Sequence, residues 1–324
     1  MDDAVRIVAT SLIPELAHEL LGQLGEVAVA DLADRDAIAD AAVLVVRSAP
    51  VDEAVLERAP RLRAIARTGV GLDKVDVAAA SRRGIPVLYA PDAGTGPVAE
   101  GTLALIFAAS KRLFELRAVL ADGRWEERYG YETRDLAGAT LGIVGLGRIG
   151  SAVAQLAQAI GMEVVAHEPR LGADGHSPGI RTLGLQQLFR EADVISLHCN
   201  LSDSTRGMID RALLASTKPG AILVNASRGG IVADEALLLE ALDRGWLSAV
   251  GLDVFASEPP AADDPLVRDP RVICTPHTIG LTRAWNERVF GSLARDLRLL
   301  LAGERPVNVA NPETLERAAE GAPR

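Results

Sequence analysis

The sequence predicts an α/β protein with two domains, each built on a doubly wound parallel sheet. Short apolar runs alternate with segments of helical length along most of the chain, and 324 residues suffice for two hydrophobic cores. Apolar runs separated by helices are typical of βαβ units, whose strands are parallel. The alternation stops near residue 95 and starts again at Leu141, which divides the chain into two modules.

The first module contains apolar runs that predict strands and periodic segments that predict helices. The strands are expected over residues 5–9, 43–47, 63–67 and 85–89, and the helices over 14–24 and 74–83. Next, the stretch from Thr95 to Gly123 predicts one long helix, because Thr-Gly-Pro favours a helix start and Asp-Gly a helix end. A helix of this length could bridge two domains.

The second module begins with a strand at Leu141 and continues with the same alternation. Further strands are predicted over residues 194–199, 221–225, 249–254 and 272–274, and a helix over 282–302.

Composition and charge exclude some classes of function. The chain is 48% hydrophobic and 24% charged, as in ordinary globular proteins, and its net charge is −10. A negative surface argues against general nucleic-acid binding, although a local basic pocket for an anionic substrate stays possible. The most apolar stretch, residues 103–109, is too short to span a bilayer, and the first residues lack the layout of a signal peptide.

The cysteines and histidines predict neither a disulfide framework nor a metal site. Cys199 and Cys274 form no zinc pattern and fit a reducing cytoplasm. His18, His167 and His176 show no metal-ligand spacing. We therefore expect a cytoplasmic, metal-free protein that does not act on membranes.

The stretch LGIVGLGRIG places Gly145, Gly147 and Gly150 in G-x-G-x-x-G spacing. Alone, this pattern is also compatible with an ordinary tight turn. Here a predicted strand enters it, a predicted helix leaves it, and Glu168 follows at the end of the next strand, about 20 residues on. This context predicts a Rossmann-like dinucleotide site, in which the glycines let the backbone approach a pyrophosphate at a helix N-terminus.

Glu168 favours NAD over NADP. Its carboxylate can accept hydrogen bonds from a ribose hydroxyl and would repel a 2′-phosphate. Arg170 lies two residues further on and could meet such a phosphate, so NADP stays open as the less favoured cofactor.

Three segments after predicted strands carry chemically capable residues. They are Arg228 in NASRGGIV, Asp253 and Glu258 in LDVFASEPP, and His277 in TPHTIG. Separately, each has an ordinary structural explanation, as a surface arginine, a solvated acid or a loop histidine. Because ligands bind beyond the carboxyl ends of parallel strands, we expect these side chains to converge near the nicotinamide.

These segments also carry a family resemblance over most of residues 5–310. Together with VVRSA, ARTGVGLDKVDVAAASRRGIPV, PVAEGT and DGRWE, they resemble the D-isomer-specific 2-hydroxyacid dehydrogenases, and within that family the phosphoglycerate dehydrogenases most closely. The resemblance implies oxidoreductase activity on CH–OH donors, with a cofactor domain, residues 98–284, inserted into a flavodoxin-like substrate domain, residues 1–97 plus 285–324. It also implies a homodimer formed through the cofactor domains.

The resemblance assigns a role to each residue of the expected site. Arg228 binds the substrate carboxylate and polarises the 2-oxo group, with help from the backbone N–H groups of Val70 and Gly71. His277 exchanges a proton with the substrate oxygen, and Glu258 orients the imidazole and favours its protonated form.

Further cofactor contacts follow from the resemblance by position. Asp253 is expected to meet the nicotinamide carboxamide. The other contacts are Arg148, Ile149, Cys199, Ala226, Ser227 and Gly280.

The substrate is expected to be a small 2-hydroxy or 2-oxo acid. Arg47 and Arg67 match positions that face the phosphate end of the substrate in phosphoglycerate dehydrogenases, although each could also be a solvated residue at a strand end. They favour 3-phosphoglycerate and phosphohydroxypyruvate, with reduction of glyoxylate, hydroxypyruvate or another 2-oxo acid as the alternative. A phosphite dehydrogenase keeps the same Arg, Glu and His, and a non-enzymatic NAD-sensing module would not need all three.

Overall fold

The computed structural model describes residues 5–171, 176–177 and 179–319. The chain divides into two compact units. Unit 1 comprises residues 1–94 and 281–324, and unit 2 comprises residues 95–280. Each unit is an α/β domain on a parallel sheet, so the predicted fold class is confirmed.

In the described chain, unit 1 has a sheet of five parallel strands. The strands are β1 (Arg6–Ala9), β2 (Glu26–Val29), β3 (Val43–Val46), β4 (Ala64–Arg67) and β5 (Val87–Tyr89). The helices are α1 (Glu15–Gly22), α2 (Arg35–Asp40), α3 (Glu53–Glu57), α4 (Val77–Arg82), α12 (Arg283–Leu301) and α13 (Glu313–Ala319). The strand order is β2-β1-β3-β4-β5. Ile7 and Val8 are adjacent but lie in different cores, because successive side chains of a strand point to opposite faces.

Unit 2 has a sheet of eight strands among its described residues. These are β6 (Thr140–Val144), β7 (Glu163–His167), β8 (His176–Ser177), β9 (Ile180–Thr182), β10 (Val194–Leu197), β11 (Ala221–Asn225), β12 (Leu247–Leu252) and β13 (Val272–Cys274). The helices are α5 (Thr95–Ser110), α6 (Leu113–Ala121), α7 (Arg148–Ala159), α8 (Leu185–Glu191), α9 (Arg211–Leu214), α10 (Ala236–Asp243) and α11 (Pro265–Arg268). The order is β13-β12-β11-β10-β6-β7-β9-β8, in which only the β8–β9 pair is antiparallel. From β6 the chain builds the sheet outward on one side through β7 and β9, and then on the other side through β10, β11, β12 and β13. The boundary between β6 and β10 is therefore the switch point where such sheets bind ligands.

The prediction of one long helix from Thr95 to Gly123 is wrong. Helix α5 ends at Ser110, and Arg112 has a left-handed backbone, with φ of 50°, before α6 begins. The guanidinium of Arg112 lies 2.8 Å from Glu115 and 5.3 Å from the centre of the Tyr131 ring. These contacts stabilise a break that no glycine or proline marks in the sequence.

Helix α4 also starts later than predicted. Asp76 caps it by accepting a 2.8 Å hydrogen bond from the N–H of Ala79, so Lys74 lies outside the helix. No helix within the described ranges combines the length and the apolar character that crossing a bilayer requires.

Candidate active site

The glycine loop joins β6 to α7 in a tight turn. Gly145 has φ of +96°, a region that favours glycine. A Cβ on Gly150 would lie 2.1 Å from the carbonyl oxygen of Gly145, so only glycine allows the helix to start this close to the strand. A Cβ on Gly147 would meet nothing within 4 Å, and Gly147 caps α7 without a side chain. The N-terminus of the 12-residue helix is therefore open to an anion such as a pyrophosphate.

Cys199 lies across the switch point from the glycine loop. A Cβ on Gly145 would come within 2.7 Å of the backbone nitrogen of Cys199, so the loops after β6 and β10 are in contact. Burial raises the pKa of the Cys199 thiol to about 11. The thiol is therefore neutral near pH 7 and adds no negative charge where the phosphates of a dinucleotide would sit.

Glu168 follows β7 and faces the same loop. Its Oε2 accepts a hydrogen bond from the backbone N–H of Leu146 at 3.1 Å, and Arg170 donates through Nε at 2.8 Å and Nη2 at 3.0 Å. The Arg170 bonds hold the pKa of Glu168 below its ordinary value despite burial. A carboxylate held in this position, beside the N–H groups of the glycine loop, can accept hydrogen bonds from a ribose hydroxyl.

Arg228 stands on the loop after β11, which Asn225 holds in place. The amide of Asn225 accepts from the N–H and hydroxyl of Ser227, at 3.1 and 2.9 Å, and donates to the Arg228 carbonyl at 2.9 Å. A Cβ on Gly229 would lie 2.0 Å from the backbone of Phe255. The glycine after Arg228 thus lets this loop touch the loop after β12, which carries Glu258.

Glu258 and His277 form a hydrogen-bonded pair. Nδ1 of His277 lies 2.9 Å from Oε2 of Glu258, and Oε1 accepts from the N–H of Phe255 at 3.2 Å. Burial disfavours the charged carboxylate, but the hydrogen bond and charge of His277 outweigh it, so the pKa of Glu258 lies below its ordinary value. The pair can therefore orient a proton-carrying imidazole through an ionised acid.

Asp253 and Gly280 shape the segment on either side of His277. Asp253 is buried and accepts hydrogen bonds from the hydroxyl of Thr275 and from the N–H groups of Thr278 and Ile279. A Cβ on Gly280 would lie 2.8 Å from Val98, so the segment packs against α5.

In unit 1, the loop after β4 carries Val70 and Gly71. Arg67 lies beneath this loop, with Nε donating to the Gly71 carbonyl at 3.0 Å and Nη1 to the Val46 carbonyl at 3.4 Å. Only 6% of Arg67 is exposed, so the alternative that it is a solvated residue at a strand end is wrong.

Unit 1 also contains a cavity beside Arg47. The guanidinium carbon of Arg47 lies 5.9 Å from the centre of the Trp285 ring, within range of a cation–π contact. The cavity is lined by polar Ser11, Thr68 and Asn286 and by apolar Leu12, Ile13, Pro14, Val45, Trp285 and Phe290. One cation beside hydroxyl and amide groups suits an anionic group on a short carbon chain.

The structure thus brings together Arg228, Glu258 and His277, on loops that follow β11, β12 and β13 within one sheet. The remaining predicted cofactor residues of unit 2 lie on the loops after β6, β7, β10, β11 and β13 or at the start of α7. They are Gly145, Gly147, Arg148, Ile149, Gly150, Glu168, Cys199, Ala226, Ser227 and Gly280.

Sequence reasoning missed Asn225, Thr275 and Trp285. Asn225 ends β11 and Thr275 directly follows β13, each close to a predicted site residue. These positions could have marked both residues as candidates. Nothing local marked Trp285, because it reaches the Arg47 cavity from a helix far along the chain.

Comparisons with known proteins point to one family. Residues 103–278 match the family described as D-isomer specific 2-hydroxyacid dehydrogenase, NAD binding domain. The chain is 44% identical over 306 residues to D-3-phosphoglycerate dehydrogenase of Mycobacterium tuberculosis, covering 93% of this chain but only 57% of that protein. It is 38% identical over 274 residues to a glyoxylate reductase of Korarchaeum cryptofilum, covering 82% and 81%.

A solved structure extends the similarity to the whole fold. The D-lactate dehydrogenase of Aquifex aeolicus, crystallised with NAD and lactic acid, matches with a TM-score of 0.82 at 28% identity, covering 96% of this chain and 97% of that one.

Proposed function

The chain belongs to the D-isomer-specific 2-hydroxyacid dehydrogenase family, and on that premise we propose that it is an NAD-dependent dehydrogenase that interconverts a 2-hydroxy acid and a 2-oxo acid. The observation that carries this proposal is the Glu258–His277 pair, which shares one sheet edge with Arg228 and the glycine loop. A module that only sensed NAD would need the loop but not the pair.

Each residue of the site has a chemical task in this reaction. When bound, the cofactor supplies or accepts the hydride. Arg228 binds the substrate carboxylate with two parallel hydrogen bonds, and the N–H groups of Val70 and Gly71 add further donors. His277, with Nδ1 engaged by Glu258, donates a proton from Nε2 to the carbonyl oxygen in reduction and takes one back in oxidation.

We propose NAD as the cofactor, with NADP less favoured. Glu168 accepts hydrogen bonds from the adenosine ribose, and its charge disfavours a 2′-phosphate. Arg170 partly offsets that charge, because it donates two bonds to the same carboxylate. The carboxamide contact is assigned to Asp253.

We assign substrate binding to residues 1–97 with 285–324 and cofactor binding to residues 98–284. These boundaries lie close to the division into compact units at residues 94 and 281. The family match over residues 103–278 supports the cofactor assignment.

For the substrate we favour 3-phosphoglycerate and phosphohydroxypyruvate. Thr68 lines the Arg47 cavity and stands two residues before Val70, so the cavity adjoins the proposed carboxylate site within unit 1. A substrate with a carboxylate at one end and a phosphate about three carbons away could reach both. Arg67 supports the loop from below rather than reaching the cavity, so Arg47 is the phosphate-binding residue of the two.

The second candidate function is reduction of glyoxylate or hydroxypyruvate. It is favoured by the Korarchaeum glyoxylate reductase, because this chain covers 81% of that protein, compared with 57% of the mycobacterial one.

We also propose a homodimer in the cytoplasm. Unit 2 exposes several large apolar side chains, of the kind that a subunit interface would cover. They are Phe107, Leu113, Phe114, Leu120, Trp125 and Tyr129.

The test is NADH oxidation with phosphohydroxypyruvate, hydroxypyruvate, glyoxylate, pyruvate, 2-oxoglutarate and, in the reverse direction, phosphite with NAD. We expect preference for phosphohydroxypyruvate, and Arg47→Ala should raise its KM at least 10-fold while the KM for glyoxylate changes little. Equal effects on both acids would remove the phosphate assignment. NADH binding without turnover of any acid would contradict the dehydrogenase proposal.

A further inference from the structure

The turn that carries His277 is hydrogen-bonded to one carboxylate oxygen of the buried Asp253. Asp253 directly follows β12 and is 3% exposed. Its Oδ1 accepts from Thr275 Oγ1 at 2.7 Å, from the N–H of Thr278 at 2.8 Å and from the N–H of Ile279 at 3.1 Å. The donors lie on both sides of His277 in the chain, so one oxygen holds both ends of the turn.

His277 needs such support because its backbone is unusual. Its φ of 53° lies in the left-handed region, which residues other than glycine adopt at a cost. The turn contributes one bond of its own, from the His277 N–H to the Thr275 carbonyl at 3.0 Å. The surroundings must supply the rest, and the three bonds to Asp253 contribute to that support on both sides of His277.

Glu258 and Asp253 therefore act on different parts of the same residue. Glu258 contacts the imidazole through Nδ1, whereas Asp253 contacts the backbone segment from which the ring projects. Burial raises the pKa of Asp253, and the three donors and His277 oppose this shift. Oδ1 serves as an acceptor in all three bonds, which its ionised form makes strongly.

We propose that Asp253 is a positioning residue for proton transfer, because it fixes the turn that aims His277 at the substrate oxygen. This inference rests on the proposed function, in which His277 is the proton donor. It is separate from the carboxamide contact, because the three bonds to the turn all end on Oδ1 and a carboxamide contact could use Oδ2.

Thr275 offers a test that leaves the carboxylate itself untouched. Thr275→Val removes one of the three donors, and Thr275→Ser is the matched control that keeps the hydroxyl. With the full-length protein, NADH and the best 2-oxo acid of the panel, we expect Thr275→Val to lower kcat about 10-fold with little change in the Kd of NADH. Thr275→Ser should stay within about 2-fold of the wild type. An unchanged kcat in Thr275→Val would overturn the inference.

A double-mutant cycle with His277 tests whether Asp253 acts through that residue. We expect Asp253→Ala to lower kcat about 100-fold in the wild-type background but less than about 3-fold in His277→Asn. The position of the turn no longer affects proton transfer once the imidazole has been removed. Asp253→Asn gives the same cycle with a side chain of the original shape if the alanine variant fails to fold.

The opposing outcomes are distinct. Equal losses in both backgrounds would mean that Asp253 acts independently of His277 and would overturn the inference. A raised Kd for NADH with kcat unchanged at saturation would restrict Asp253 to cofactor binding and would also overturn it. If the wild type turns over and His277→Asn keeps only a small residual kcat, the proposed function stands whatever the cycle shows. A wild-type protein without turnover would overturn both.

Discussion

Nδ1 of His277 lies 2.9 Å from Oε2 of Glu258, although the two residues stand on loops that follow different strands of the sheet. The hydrogen bond fixes which imidazole nitrogen is engaged by protein and which can face a substrate. It also keeps Glu258 ionised, because it holds the pKa of that acid below its ordinary value despite burial.

Glu258→Gln is expected to lower kcat by about 10- to 100-fold, because an amide keeps the hydrogen bond to Nδ1 of His277 but removes the negative charge beside the ring that donates the proton. The Kd of NADH should not change, since Glu258 lies outside the glycine loop. Steady-state kinetics and NADH fluorescence titration measure the two quantities.

Glu235→Gln is the matched control for this change. Glu235 accepts a 2.7 Å bond from the N–H of Ala256 on the same loop and does not contact His277 in the described hydrogen bonds. We expect less than a 3-fold effect on kcat. Similar losses in the two variants would argue against a specific role for Glu258.

The glycines of the loop provide a second prediction, in which the same substitution has two different effects. Gly147→Ala should fold normally, because the added Cβ meets nothing within 4 Å, but it should weaken NADH binding by blocking the approach of the pyrophosphate. Gly150→Ala should lower the thermal midpoint, because its Cβ would lie 2.1 Å from the Gly145 oxygen. Thermal unfolding and NADH titration of both variants check this. Unweakened NADH binding by Gly147→Ala would place the cofactor elsewhere.

Glu168→Gln should weaken NADH binding and should make NADPH binding stronger relative to NADH binding. The glutamine can still accept the N–H of Leu146, so the loop is kept while the negative charge is lost. Arg170→Ala serves as the companion variant and should weaken NADPH more than NADH if the arginine meets the 2′-phosphate. Paired Kd measurements decide, and an equal change for both cofactors would remove Glu168 from the ribose.

His198 predicts a pH dependence of stability. Its Nδ1 is buried without a hydrogen-bond partner in the described structure, its Nε2 lies 2.8 Å from the Ser196 hydroxyl, and burial lowers its pKa to about 4. As pH falls below about 6.5, the unfolded chain gains a proton at this position that the folded protein does not bind, so stability is lost until about pH 4. We expect a loss of about 2 kcal/mol between pH 7 and pH 5 from this residue.

Urea unfolding of the wild type and His198→Gln at both pH values measures that contribution. The variant should lose less stability than the wild type over the same interval, because glutamine does not titrate. Equal losses in the two proteins would mean that His198 is not kept neutral by burial.

The sequence alone predicted much of the candidate site because the signals were local. Strands β11 and β13 cover the predicted residues 221–225 and 272–274, since a buried parallel strand is a continuous apolar run. The glycine spacing located the turn after β6, and Arg228, Glu258 and His277 were predicted as site residues because each follows a strand whose end could be predicted.

What only the tertiary structure decided were contacts between residues distant in the chain. The break at Arg112 depends in part on the distant Tyr131 ring, and no local pattern encodes a left-handed arginine. The burial of Arg67, the approach of Trp285 to Arg47 and the attachment of the His277 turn to Asp253 were likewise invisible in the sequence. Periodicity and turn chemistry act over a few residues and determine which elements form, whereas packing joins elements far apart in the chain and determines where their side chains meet.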